Sequence, residues 1–208
     1  MNMLIYLTNI AGKSFNPQNT TLLSQRGQKN YARLINQAPQ KALQTAVADL
    51  IIKKVLNVSD ENFIIEETAS GAPFVKGKAE FSVSHSENVV AVAVDEKPLG
   101  ADVQIIKEPL SQNLINGTLN NAELATFNSL EKQSDMVKYF YRCLTEKESY
   151  VKFLKTGFTC LPRDIKNYNG AKFVTKYVFQ SGEVYCLTVC AENITAIRYE
   201  VMPFETLF

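Results

Sequence analysis

The order of patterns along the chain predicts an α+β fold of two similar lobes, each a long helix packed on a small, mainly antiparallel sheet. Two observations carry this. Residues 40–57 and 134–155 both place apolar side chains at helical spacing. Each of these stretches is followed by three strand-like runs, an order that suits helices packed on antiparallel sheets. The halves share no visible identity, so the repeat is one of element order only. The expected division is 1–98 and 99–208, with a ligand site in the cleft between the lobes.

In chain order, residues 3–7 suit a first strand, and the Gly, Asn and Pro of 12–19 suit a loop. Residues 22–36 are polar and weakly helical. Pro39 marks the start of the first long helix, whose stripe is Leu43, Val47, Leu50, Ile51 and Val55. Lys53 and Lys54 fall in its last turn, where a cation ordinarily opposes the helix dipole. Residues 62–67 read as a strand, and Ser70-Gly71-Ala72-Pro73 and Lys76-Gly77-Lys78 as turns. Three strands follow at 81–86, 88–94 and 99–106, the last two separated by Lys97-Pro98. Short helices are expected at 111–115 and 120–130, then the second long helix. The tail turns strand-like at 172–180, 184–190 and 194–202, with a hairpin at Ser181-Gly182.

A chain of 208 residues, 46% of them hydrophobic, can bury a substantial core. Its net charge of +1 gives no general field for nucleic acid or a membrane surface, so any basic site is local. Aromatic residues are not interleaved with a basic stripe, which argues against a nucleic-acid surface. The four cysteines form no CxxC pair and have no histidine nearby, so they read as free thiols of a reducing compartment rather than zinc ligands. The apolar N-terminus lacks leading basic residues and reads as a strand, not a signal peptide. The apolar run at 89–94 is too short to span a bilayer. A soluble, cytoplasmic protein is expected.

Residues 81–102 hold the chemistry. Phe81, Val83 and His85, the only histidine, share one side of a strand. Asp102 lies mid-strand, where an aspartate is disfavoured and rarely buried without a partner. On the second long helix Glu148 joins the stripe of Val137, Phe140, Leu144 and Val151, and Lys152 follows four residues later. An ordinary i,i+4 ion pair is the plain reading of those two. If the fold instead brings Asp102 to Glu148, they form a hard oxygen site of the kind magnesium takes alongside substrate phosphates. His85 and Lys152 would then donate to phosphate oxygens, although backbone could equally satisfy a histidine at a strand end. Adjacent Ser84-His85-Ser86 is no catalytic triad, and no nucleophile elbow, P-loop or dinucleotide fingerprint occurs.

The motifs in order, Gly71-Ala72-Pro73, Phe81-Ser82-Val83-Ser84-His85-Ser86, Gly100-Ala101-Asp102-Val103 and Lys147-Glu148-Ser149-Tyr150-Val151-Lys152, resemble the larger, pseudo-dimeric type of phosphopantetheinyl transferase. The resemblance covers roughly residues 40–157. It implies transfer of the phosphopantetheine arm of coenzyme A to a serine of an acyl or peptidyl carrier protein, with release of adenosine bisphosphate. It also implies Mg2+ held by Asp102 and Glu148, with Gln104 in place of a second strand acid. Lys152 would stabilise charge on the transferred phosphate. Ser84 and His85 would hold the phosphates of coenzyme A and Lys53 would contact the nucleotide, while the proton would be taken by Glu123 or equally by Glu148 or a metal-bound water. Ala72 stands where the family has a lysine, a loss that Lys76 or Lys78 would make good. A single chain carrying both lobes implies a monomer. A diverged relative that binds coenzyme A or a carrier protein without transfer is the alternative.

Overall fold

The computed structural model describes residues 3–157 and 159–208, which form β1 (Met3–Asn9), α1 (Gln25–Leu34), α2 (Pro39–Val55), β2 (Glu66–Glu67), β3 (Pro73–Phe74), β4 (Glu80–Ser86), β5 (Val89–Asp95), β6 (Leu99–Ile105), α3 (Gln112–Thr118), α4 (Asn121–Ser129), α5 (Gln133–Leu154), β7 (Lys172–Gln180), β8 (Glu183–Ala191) and β9 (Ile197–Val201). The fold is α+β. One sheet has the order β4-β5-β1-β9, a second has the order β6-β8-β7, and β2 and β3 make a small ribbon.

The apolar run of β5 fixes how the layers stack. Its six residues Val89–Val94 are all buried, so both faces of the strand are covered. Val90, Val92 and Val94 pack with Phe81 and with Val47 and Ile51 of α2. Val89, Ala91 and Ala93 point the other way, onto Leu99, Ala101 and Val103 of β6 and Leu187 and Val189 of β8. The far face of that second sheet meets α5, where Cys186 packs with Val137 and Phe140. The order of layers is therefore helix, sheet, sheet, helix.

Between the sheets the edges of β4 and β6 are joined by side chains rather than by a backbone ladder. Ser82, Ser84 and Ser86 accept from the backbone N–H groups of Ala101, Val103 and Ile105, at 2.9, 3.1 and 2.9 Å. The two-residue period of a strand places these serines on the side opposite Phe81, Val83 and His85.

Two expected elements differ. Residues 62–67 do not make a full strand, since a 3-10 turn at Asp60–Asn62 uses the first part and β2 keeps only Glu66–Glu67. The last strand does not extend the sheet of β7 and β8. β9 pairs in parallel with β1, matching Met3 with Ile197 and Leu7 with Val201. There Ile197 and Tyr199 add to the apolar layer between the sheets. Among the described residues, no helix is long and apolar enough to cross a membrane.

Candidate active site

Glycine decides where α5 lies. A Cβ on Gly100 would stand 1.9 Å from the Ser149 carbonyl oxygen and 2.5 Å from the Phe153 nitrogen, so the helix backbone rests directly on β6. This close approach brings Asp102, two residues along β6, to the last turns of α5. Asp102 is buried, and its Oδ1 accepts from the Ser84 hydroxyl at 2.7 Å and from Lys152 Nζ at 2.7 Å. Gln104 donates its amide N–H to Oδ2 at 3.1 Å.

Lys152 pairs with Asp102, which replaces the expected i,i+4 pair with Glu148. The ammonium also donates to the Ala101 carbonyl at 3.0 Å. An ammonium has three donors, and the third is left for the cleft that Lys152 lines. Glu148 is half-buried beside the pair. Lost hydration first, then the negative charge of Asp102, push its carboxyl up to about 7, while Lys152 acts in the opposite sense. The fold thus brings Asp102, Glu148 and Lys152 together. Among the described residues no group of three His, Cys, Asp or Glu side chains converges as a metal cage. The two carboxylates nevertheless suit a hard cation that keeps most of its water, whereas Gln104 turns its amide N–H toward Asp102 and would have to flip to offer oxygen.

The cleft that Lys152 lines holds about 390 Å³; Asp102, Gln104 and Glu148 stand behind Lys152 and are not among its lining residues. Its lining includes His85, Lys152 and Lys155 together with Arg26 and Arg33 of α1, and Ala48, Ile52, Ile65 and Phe81 give it an apolar part; Arg26 already donates its Nε–H to Glu67, 2.5 Å away. The His85 imidazole opens to the cleft, yet lost hydration and then the Lys152 charge hold it below its usual value. A neutral ring offers one N–H donor.

Several expected contacts lie elsewhere. Ser84 faces β6 rather than the cleft; its hydroxyl is spent on Asp102 and on the Val103 amide. The alternation that put His85 beside Phe81 and Val83 already assigned Ser84 to the opposite side. Lys53 donates to the Leu22 carbonyl at 3.1 Å and pairs with Asp60, so it ties down a loop. Lys76 is exposed and does not line the cleft, and Lys78 reaches the Asn57 carbonyl. Besides Lys152 and the two arginines, Lys155 lines the cleft with Ala72, and it stands 2.5 Å from Glu80. Glu123 closes a capping box with Asn120 at the start of α4 and lies 2.5 Å from the fully buried Lys147. Its carboxylate is committed to structure.

Arg26 and Arg33 escaped the sequence reading because α1 has a weak apolar pattern. Their one signal was spacing: positions seven apart return to nearly the same face of a helix.

Residues 98–193, which include Asp102, Glu148 and Lys152, match the family described as the 4'-phosphopantetheinyl transferase superfamily. The match takes in just under half of the chain, the part that carries these three residues. Among curated proteins the chain is similar to 4'-phosphopantetheinyl transferase gsp of Aneurinibacillus migulanus, 29% identical over 139 residues. That match takes in 65% of this chain and 57% of the relative, less than two thirds of the relative's length. It is also similar to 4'-phosphopantetheinyl transferase ffp of Bacillus subtilis, 27% identical over 78% of this chain and 83% of the relative. With 4'-phosphopantetheinyl transferase Sfp of Bacillus subtilis strain 168 it is 26% identical over 77% of this chain and 82% of the relative.

Proposed function

We propose that the protein moves the phosphopantetheine arm of coenzyme A onto a serine hydroxyl of an acyl or peptidyl carrier protein, releasing adenosine bisphosphate. The observation that carries this reading is the meeting of Asp102, Glu148 and Lys152 beside a cleft that Arg26 and Arg33 also line. Several cations and an apolar patch in one cleft suit a nucleotide that carries phosphates at separate points. In this reading residues 1–98 and 99–208 are the two lobes of a pseudo-dimer, and one chain builds the whole site.

Asp102 and Glu148 would hold Mg2+, with the Gln104 amide oxygen turned toward it. When bound, the ion neutralises charge on the pyrophosphate of coenzyme A. Lys152 stays anchored by Asp102 and the Ala101 carbonyl and directs its remaining N–H to the phosphate being transferred, where negative charge builds as the bond to the leaving phosphate lengthens. His85 donates one hydrogen bond to a phosphate oxygen. Arg26 and Arg33 meet the phosphate on the far side of the nucleoside, and the lining residues Ile52, Ile65 and Phe81 exclude water from the base. Lys155 takes the place of the lysine absent at Ala72. Glu123 has no part in the proton transfer, because Lys147 and the α4 cap occupy it.

The test is incubation with coenzyme A, Mg2+ and apo carrier proteins of fatty-acid, polyketide and peptide type. Mass spectrometry should show one carrier gain the phosphopantetheine mass. Coenzyme A binding without gain on any carrier would point instead to a non-catalytic relative.

A further inference from the structure

Helix α1 carries Arg26 and Arg33 to the cleft, yet little of its own surface holds it there. It has ten residues, of which Gly27 and Tyr31 are buried. Isolated helices shorter than about 12–15 residues are marginal in water, so its position depends on what it docks against. Tyr31 anchors the middle, its ring edge-on to Phe15 with centroids 5.0 Å apart. The N-terminal end is held differently. Asp49 of α2 is buried, and its Oδ2 accepts from the Ser24 N–H at 3.0 Å and from the Ser24 hydroxyl at 2.6 Å. The Ser24 oxygen in turn accepts from the Gly27 N–H at 3.0 Å, capping the helix. A Cβ on Gly27 would stand 1.9 Å from Asp49 Oδ2, so the carboxylate fills the space a side chain would take.

A buried carboxylate is a costly way to pack two helices when apolar side chains would serve. Lost hydration pushes this one up to about 6, and the Arg26 charge works against that shift. What the carboxylate provides that an apolar side chain lacks is direction. It fixes the backbone of Ser24 and Gly27 on either side of Arg26, at the cleft that Asp49 itself lines.

We propose that Asp49 is a positioning residue: through Ser24 and Gly27 it holds the first turn of α1 so that Arg26 and Arg33 face the anionic end of the ligand. This rests on reading the cleft as the coenzyme A site. Asp49 touches none of the reacting groups, so loosening the clamp weakens ligand capture and leaves the bound complex equally reactive.

The test uses the full chain and three variants that open the clamp from different sides: Asp49→Ala, which removes the oxygen that accepts both Ser24 bonds, Ser24→Ala and Gly27→Ala. Amide hydrogen exchange across residues 25–34 should rise about tenfold in each folded variant, the effect of losing roughly one buried hydrogen bond. The KM for coenzyme A should rise about tenfold with kcat within about twofold, the signature of lost ground-state binding. Unchanged exchange in α1 of Asp49→Ala, or a fall in kcat at constant KM, overturns the inference. Should one variant fail to fold, the other two decide. Should the unmodified protein neither bind nor turn over coenzyme A, the parent reading falls, and the exchange comparison still decides whether Asp49 holds α1.

Discussion

Two aspartates in this molecule are equally hidden, Asp49 on α2 at 2% exposure and Asp102 on β6 at 1%. They differ in what answers their charge. Asp49 accepts only neutral donors, the amide and hydroxyl of Ser24. Asp102 accepts a serine hydroxyl and an amide as well, but also a lysine ammonium at the edge of the cleft. Burial alone therefore does not tell what a carboxylate is for. One whose partners are neutral serves to fix backbone, and one paired with a cation beside open space holds that cation at the cleft.

The largest break in this comparison is Asp102→Ala. It should lower transfer to a carrier at least ~1000-fold, because it releases Lys152 and removes a ligand of the expected ion. Glu148→Ala should do the same, and excess EDTA should stop transfer by the unmodified protein. Near-normal turnover in either variant, followed by mass spectrometry of the carrier, would contradict the site assignment.

Next comes pH. The folded Asp49 carboxyl sits at about 6 against an ordinary 3.8. Its contribution to stability is fully present below pH 3.8 and is lost as pH rises through about 6, on the order of 3 kcal/mol by linkage. Denaturant melts of the unmodified protein and Asp49→Asn, taken from pH 4 to 8, should diverge in that window. Parallel curves would deny the raised value.

Gly100→Ala should cost about 2–3 kcal/mol, because backbone of α5 rather than a flexible side chain stands in the way. It should also reduce transfer by displacing Lys152. The smallest effect sharpens the pairing: Ser84→Ala should cost about 1–2 kcal/mol in chemical denaturation, because it strips a hydroxyl donor from Asp102 and an acceptor from the Val103 amide.

The sequence showed the long helices and most strands, because their apolar spacing is regular and local. β9 was misplaced because its partner lies almost two hundred residues earlier, and no local pattern names a parallel neighbour. Asp102, Glu148, Lys152 and His85 stood out as polar residues in apolar settings. Arg26 and Arg33 did not, since charges on the weakly patterned α1 look like ordinary surface until it docks, and Asp49 stood outside the apolar stripe of α2, where a charge reads as solvent-facing. Ser84 was legible and misread: strict alternation sets it opposite His85, against β6. Resemblance alone suggested a nucleotide contact for Lys53 and a phosphate contact for Lys76, but Lys53 ties down a loop and Lys76 is exposed away from the cleft.

The three serines of β4 make the approach of β6 stepwise. Sliding β4 by one position would offer Phe81, Val83 and His85 to the amides of Ala101, Val103 and Ile105 and leave three donors without acceptors. Only shifts of two residues restore an oxygen to each amide, and such a shift would carry His85 away from Lys152. The spacing between the histidine on one strand and the aspartate on the next is thus locked by a row of hydroxyls, like teeth on a rack.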